Sequence, residues 1–461
     1  MLAGLGLLLV TAACGSGTDG ASPTTGGTIP STATSSTLPF VSTVVPDTPV
    51  GRQLQWLLQA MVHTPLPSTT IEAHFAPSFL AQVDPPRLDA VLVQLAADGS
   101  PTFVGLLPIS PLADPSDQLE AVVALGSTEV TVSMATDADG RIAGLVYAPY
   151  VPTTLDSWTA VDQALAAIAP GTGFLAAQIG PSGTCVPVHQ VNPSVSRPTG
   201  SMFKLFVLGA LAARIAAGTV RWDQELTLTD ALRSSGSGSL QASPTGTRLT
   251  VRRAAVLMIS QSDNTAADLL IHLVGRSAVE TQTRAWSSDA QRDQPFLTTR
   301  EFFVLKEVDY PALADAYTAR GPSARTAYLA STVDPTPLDQ GSGNWTSPRS
   351  IDAVEWFASP ADLCRAFAGL AARSQQAALA PLGSVLSINQ GGIGLGPSEW
   401  PTVWFKGGSE PGVLTLGYLA RRSDGTTDVV VAMAENPSAP LAAGATLGML
   451  TVVKGAFGLL G

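Results

Sequence analysis

The sequence predicts an α/β protein, α+β in the narrower sense, in two folded parts. A large domain with an antiparallel sheet flanked by helices is preceded by a small α+β domain. Three observations carry this expectation. Helical apolar spacing over 51–63 and 86–97 is followed by four extended stretches at 102–109, 119–125, 129–135 and 142–150, the middle two with partial period-two alternation. From Trp158 the pattern becomes a helix, strands at 173–180 and 185–191, a long helical middle, three strands at 403–406, 413–421 and 427–434, and a closing apolar stretch over 441–460. Within that second part three short words stand in order: Ser201-Met202-Phe203-Lys204, Ser262-Asp263-Asn264 and Lys406-Gly407-Gly408.

With 461 residues, 45% hydrophobic and 13% charged, the chain is long enough for two domains with real cores. A formal net charge of −11 and the lack of any Lys/Arg cluster argue against nucleic acid, which is bound by concentrated positive charge. The leading residues 1–10 form an apolar run too short to span a bilayer, as in a signal peptide. Thr11-Ala12-Ala13-Cys14-Gly15 follows and resembles a bacterial lipobox, so residues 1–14 read as a lipoprotein leader with Cys14 as the lipidated residue. Thr11 stands where a Leu is usual, and no Lys or Arg precedes the apolar run, which reads as a truncated start. Residues 15–46 are rich in Ser, Thr, Gly and Pro and read as a disordered tether. A flexible chain of about thirty residues reaches roughly 30 Å and would hold the folded body just off a membrane.

The small domain spans 47–151. Helices first and then strands joined by turns such as Asp139-Gly140 resemble a cystatin-like or nuclear-transport-factor-2-like fold, in which a curved sheet wraps a helix. A binding or spacing module is expected, since no carboxylate and tyrosine pairing marks a site. A boundary falls at Val151-Pro152-Thr153-Thr154, and the large domain runs over 158–461. In it, Ser423-Asp424-Gly425 turns the last hairpin. The stretch over 441–460 carries Lys454 and many small residues, which favours packing on the sheet over a membrane span.

Beyond Cys14 only Cys185 and Cys364 remain. They are read either as one disulfide in an oxidising compartment or as two buried thiols. His63, His74, His189 and His272 are scattered and no Cys-x-x-Cys occurs, so neither a metal nor another cofactor is expected.

The three words supply different parts of one acyl transfer. Ser201 opens an apolar helix, where free N–H groups and the helix dipole favour developing negative charge. Lys204 lies three residues on, on the same face, and burial there lowers a lysine's pKa so that a neutral amine can take the serine's proton. Ser262 can relay that proton to a leaving nitrogen, Asn264 can hydrogen-bond a substrate carbonyl, and Asp263 can brace the turn. An Asp-Asn pair also caps helices, which is the structural alternative.

The words and their flanks, above all Met258-Ile259-Ser260-Gln261-Ser262-Asp263-Asn264-Thr265-Ala266-Ala267-Asp268, resemble class A β-lactamases and their penicillin-recognising relatives. The likeness extends to Ser235-Gly236-Ser237-Gly238-Ser239-Leu240, to Ser359-Pro360-Ala361-Asp362-Leu363 and to Trp404-Phe405-Lys406-Gly407-Gly408-Ser409. It implies a serine β-lactamase/DD-peptidase-like fold in which Ser201, Lys204, Ser262 and Lys406 are catalytic. Asn264, Gly407, Gly408, Ser409 and Ser237 would bind substrate, with the backbone N–H groups of Ser201 and Ser409 as the oxyanion hole. The order of tether, small domain and lactamase-like domain resembles the LpqF-type two-domain actinobacterial lipoproteins. It also resembles the two-domain protein encoded in clavulanic-acid biosynthetic clusters.

Several positions depart from the class A pattern. Gly407 stands where the third motif has Thr or Ser, so a hydroxyl that meets the substrate carboxylate is missing. Glu410 adds a negative side chain expected to discourage anionic substrates. No arginine opens the strand at 413–416, Arg421 and Arg422 lying further along. No E-x-x-x-N pattern occurs between the second and third motifs. Glu301 is near the expected distance, but Leu305 stands where the Asn would be, so Glu301 either activates a deacylating water or merely starts a helix. An insertion is expected between Leu305 and Arg349, where Gly341-Ser342-Gly343-Asn344 can form a lid or rim.

The expected function is an envelope-anchored serine hydrolase on the outer face of the cytoplasmic membrane, held by its lipid. Ser201 would be acylated by a small-molecule substrate (a β-lactam, an ester or a peptidoglycan-like amide), and deacylation would be slow. The alternative is a catalytically idle binding or scaffold lipoprotein that uses the same cleft.

Overall fold

The computed structural model describes residues 42–461 apart from 81–82, 98, 108–116, 127, 151–154, 339–344 and 443. Cys14, the leader, nearly all of the tether and the Gly341-to-Asn344 rim lie outside the described residues. The chain divides into two compact units, one through Pro152 and one from Thr153.

In the first unit, α1 (Pro49–Met61) begins where Thr48 accepts a hydrogen bond from Gly51 N, and it buries Val50, Leu54, Leu57 and Met61 along one stripe. Two short helices, α2 (Ser68–His74) and α3 (Pro77–Leu80), are too brief to show a helical period in the sequence. α4 (Pro85–Ala96) is capped by Asp84 and buries Leu88, Leu92 and Leu95. The strands β1 (Pro101–Leu106), β2 (Gln118–Leu125), β3 (Thr128–Thr136) and β4 (Ile142–Pro149) form an antiparallel meander in sequence order. Leu119, Ala121 and Val123 stand opposite Met134, Val132 and Val130, and these residues share one core with the stripes of α1 and α4.

The second unit opens with α5 (Trp158–Ala166), β5 (Gly171–Ile179), β6 (Cys185–Val191) and β7 (Arg197–Pro198). After a 3₁₀ turn at Gly200–Phe203 come α6 (Lys204–Ala216), β8 (Glu225–Thr227), β9 (Arg248–Thr250), α7 (Val251–Ser260), α8 (Asn264–Val274) and α9 (Arg276–Trp286). α10 (Thr299–Glu307), α11 (Ala312–Thr318), α12 (Pro322–Tyr328), β10 (Phe357–Ala358), α13 (Pro360–Ser374) and α14 (Pro381–Ser387) follow. The chain closes with β11 (Thr402–Glu410), β12 (Val413–Arg421), β13 (Thr427–Glu435) and α15 (Ala445–Leu460). The main sheet is antiparallel with the order β11-β12-β13-β5-β6, so first and last strands of the unit meet at its centre.

Adjacent residues of β12 show that helices cover both faces. A side chain at Gly417 would meet Met202 and Phe367 of α13, whereas Tyr418 meets Phe457 of α15 edge-on. α15 therefore packs on the sheet, and among the described residues no helix is long and apolar enough to cross a membrane. Cys185 of β6 and Cys364 of α13 are joined in a disulfide with Cα atoms 6.4 Å apart, which ties the edge strand to a core helix. The region expected as an insertion holds α11 and α12 and brings Trp345 toward the cleft.

Candidate active site

Ser201 sits in the 3₁₀ turn that leads into α6, where the turn presses against the edge strand β11. That approach explains two glycines. Gly200 has φ +49°, and a Cβ there would lie 2.7 Å from Ser409 N; a Cβ on Gly408 would lie 2.5 Å from Ser201 N. The backbone N–H groups of Ser201 and Ser409 thus come together beside the Ser201 hydroxyl, and an edge strand leaves alternate N–H groups free of the sheet. Such a pair is suited to an oxyanion.

Lys204 begins α6 and is wholly buried. Its Nζ lies 3.1 Å from Ser201 Oγ and 3.1 Å from Ser262 Oγ, and donates to Ser262 O at 2.5 Å and Asn264 Oδ1 at 2.6 Å. Burial, and secondarily the nearby Lys406, hold its pKa well below the usual lysine value, while Asp263 and Asp268 pull the other way. Desolvation has the larger hold, so the amine is set up to be neutral.

Ser262 has φ +56°, a left-handed conformation that a non-glycine residue adopts only when its surroundings enforce it, at a cost on the order of 1–3 kcal/mol. The enforcement is visible. Asp263 caps α8 by accepting from Ala266 N, and its other oxygen accepts from Ser239 N and Leu240 N at 2.8 Å each. The glycine-rich segment before the second motif is therefore fastened to the motif itself. Asn264 N donates to Ser237 O, Asn264 Nδ2 donates to Ser235 O, and Ser237 Oγ donates to Ser262 O. Asn264 is both helix start and site residue, with one Nδ2 hydrogen left for the cleft.

Lys406 reaches across from β11 and donates to Ser262 Oγ at 3.0 Å and to Gly407 O. Burial lowers its pKa to about 7. The four residues expected to be catalytic are thus one connected group, Ser201–Lys204–Ser262–Lys406. Beside it runs a cleft lined by Ser201, Ser237, Asn264 and Ser409 from the sequence-predicted set; Gly407 and Gly408 do not line it.

The cleft also contains residues that the motifs did not reveal. Phe302, Phe303, Trp345 and Trp356 form aromatic walls, and Glu355 and Glu410 add two carboxyl groups. Trp345 belongs to the expected insertion and Glu355 lies just after it, before the Ser359-Pro360 helix start, so no motif pointed to either. Glu355, three residues before the Ala358-Ser359-Pro360 helix start, was findable only as an acidic residue in an otherwise apolar run.

The structure corrects the expectation for Glu410 and accounts for two further departures, Glu301 and Gly407. Glu410 is not a free negative charge, because Lys306, itself fully buried, donates to its Oε1 at 2.5 Å. Glu301 is not placed as a base. Its Oε2 accepts from Thr298 N in a capping box that starts α10, both oxygens accept from Arg276, and it does not line the cleft. The place of a hydroxyl at Gly407 is taken by a ring, since a Cβ there would stand 2.9 Å from Phe405 Cζ. Arg422 is bound to Asp428 and to the carbonyl of Leu460, and Arg421 to Thr427, so neither serves the cleft.

Residues 165–351 match the model of the "Beta-lactamase enzyme family", and residues 45–142 match that of the "ORF 12 gene product N-terminal". No curated protein matches the chain. Among solved structures the chain is similar to a β-lactamase from Sphaerobacter thermophilus, with 23% identity, 66% of this chain and 96% of that chain covered, and a TM-score of 0.45. It is similar to PBP-A at 17% identity, 67% and 100% coverage and TM-score 0.43. A β-lactamase from Chitinophaga pinensis gives 16%, 65% and 97%, and 0.45. The second unit has the β-lactamase and penicillin-binding-protein fold, an antiparallel sheet flanked by helices. The family match ends before Lys406, so the third motif rests on the geometry alone.

Proposed function

We propose that the protein is a serine hydrolase of the β-lactamase-like kind, acylated at Ser201 by an ester, amide or β-lactam and released slowly. The observation that carries this reading is the placement of Lys204 Nζ 3.1 Å from both Ser201 Oγ and Ser262 Oγ. A neutral amine has two N–H donors and one lone pair. The Ser262 carbonyl and Asn264 Oδ1 can only accept, so they take the two donors and leave the lone pair for a hydroxyl.

Ser201 Oγ attacks the substrate carbonyl carbon while its proton passes to Lys204, and the oxyanion is held by the N–H groups of Ser201 and Ser409. Ser262 then gives its proton to the leaving atom and regains one from Lys204, with Lys406 bonded to the same Ser262 oxygen. Hydrolysis of the resulting ester needs a base for water. Glu301 is committed to its cap and to Arg276, and Glu355 has its pKa raised well above the carboxylate range by burial and by Glu410, which makes it a proton holder. Both support slow release.

Anchoring through a lipidated Cys14, on the outer face of the cytoplasmic membrane, belongs to the same proposal, as does kinship with two-domain lipoproteins of the LpqF type. The disulfide supports an oxidising compartment. The test is intact-protein mass after exposure to a penicillin, a cephalosporin and a fluorophosphonate, with Ser201→Ala as the comparison. An adduct on the wild type alone is expected. No adduct and no turnover of simple esters would leave an idle binding protein, and rapid release would refute slow deacylation.

A further inference from the structure

We propose that Glu355 and Glu410, balanced by Lys306, form a subsite for a primary ammonium group on the substrate, so that the enzyme prefers amine-bearing acyl compounds. This rests on the hydrolase reading for its catalytic consequence, but the binding stands by itself. Glu355 is 4% exposed, and the side chains of Lys306 and Glu410 are 0% and 6% exposed. Lys306 Nζ donates to Glu410 Oε1, and Trp356 N donates to Glu355 Oε2 at 2.7 Å. The remaining oxygens, Glu355 Oε1 and Glu410 Oε2, are buried and accept from no N–H or hydroxyl donor, although both residues line the cleft that holds Ser201 and Ser409.

The charge count selects the ligand. Two carboxylates and one lysine leave a net charge of −1 in a site walled by Phe302, Trp345 and Trp356, and an uncompensated buried charge is costly. Burial, and then the neighbouring Glu410, push the Glu355 carboxyl well above the usual carboxylate range, so that without a cation the pair holds on to a proton. A monovalent ammonium can replace that proton. It gives N–H donors to both orphaned oxygens, keeps the site neutral and gains from the aromatic walls. A divalent cation overshoots the charge, and a carboxylate would meet a carboxyl pair. Arg349 donates to the Lys306 carbonyl and lies over Tyr310 and Trp345, and among the described residues it makes no ion pair with either carboxyl group. Glu410 shares the face of β11 that carries Lys406 and Gly408 and is next to Ser409, so the subsite is adjacent to the reacting centre.

The test pairs p-nitrophenyl esters of straight-chain ω-amino acids, three to six carbons long, with the matching plain fatty-acid esters on the full chain, and reads the ratio of acylation rates within each variant. The best amino ester is expected to react about tenfold faster than its plain partner, with the ratio falling toward one as pH drops and the pair retains its proton. In Glu355→Gln the ratio is expected to collapse to about one. A wild-type ratio near or below one, or a preference that persists in Glu355→Gln, would overturn the proposal. Binding is read separately in Ser201→Ala by quenching of tryptophan fluorescence with n-pentylammonium against n-pentanol. Tighter binding of the ammonium with no acylation by any ester would sustain the subsite while refuting the hydrolase reading, and equal binding of the two would refute the subsite.

Discussion

Lys204 Nζ donates to Asn264 Oδ1 across 2.6 Å, two buried side chains joined where α6 and α8 begin. The other end of the amide donates to Ser235 O, which fixes its oxygen toward the lysine. Asn264 therefore presents an acceptor without a charge. Asn264→Asp would put a carboxylate in the same place and favour the ammonium form of Lys204. The expected result is a pH profile of acylation displaced to higher pH, with the loss confined to the acidic side of the Lys204 titration and recovered as pH rises, because each unit of raised pKa removes about tenfold of the neutral amine there. A burst assay across pH measures it. An unshifted profile with normal acylation would remove Lys204 as the base.

Lys406 is the second buried lysine, and its folded pKa of about 7 lies below the ordinary 10.5 because of burial. Between those values the unfolded chain binds the proton and the folded chain does not. Stability therefore rises with pH across that window by about 1.4 kcal/mol per unit from this group, and the penalty is fully present below pH 7. Lys204 acts in the same direction. Lys406→Met is expected to make the slope of unfolding free energy against pH, between pH 7 and 10, shallower by about one proton. Denaturant titrations at several pH values read that slope. An unchanged slope would mean that Lys406 stays charged in the folded protein.

Much of this site was legible because the chemistry is local in sequence: Ser201 and Lys204 share one helix turn, and Ser262 through Asn264 share one cap. The strands of both units were legible for a similar reason, since alternation and Asp-Gly turns are short-range signals. The Glu410–Lys306 pair was not, because 104 residues separate its members and nothing in either segment names the other. Burial changed the reading of Glu410, from an unpaired negative side chain to half of an internal pair. The Cys185–Cys364 bond stayed open for the same cause, a separation of 179 residues that only the meeting of β6 with α13 resolves.

Gly407 looked like a missing hydroxyl, but its neighbour explains it. The Phe405 ring lies over both Gly407 and Gly391, so any Cβ at either position meets the ring. Gly407→Thr is expected to destabilise the protein by about 1–3 kcal/mol through overpacking, without increasing reactivity toward carboxylate-bearing β-lactams. Adding Phe405→Ala should make the pair of changes less damaging than the sum of the two alone, as expected for residues in contact. Unfolding midpoints of the three variants measure the coupling. Strict additivity would show that the ring is not what excludes a side chain at 407.

Glu301 is the sharpest contest between descent and structure. Its spacing along the sequence from Ser262 suits a deacylating base, yet its oxygens are taken by Thr298 N and by both terminal nitrogens of Arg276. Arg276 also donates to the Phe296 carbonyl, so the carboxylate holds together the start of α10, the start of α9 and the loop between them. Glu301→Gln keeps the shape but removes the charge from a mostly buried pair, at a cost of about 2–4 kcal/mol. If Glu301 is structural, the acyl-enzyme lifetime, followed by the decay of the adduct mass, should stay within about twofold of the wild type while the unfolding midpoint falls. Arg276→Lys, which loses the forked pairing with the same carboxylate, should mimic the stability loss. A lifetime lengthened more than tenfold in Glu301→Gln, at a temperature where the variant is folded, would return Glu301 to the catalytic machinery, and the slow release proposed for this protein would then need another cause.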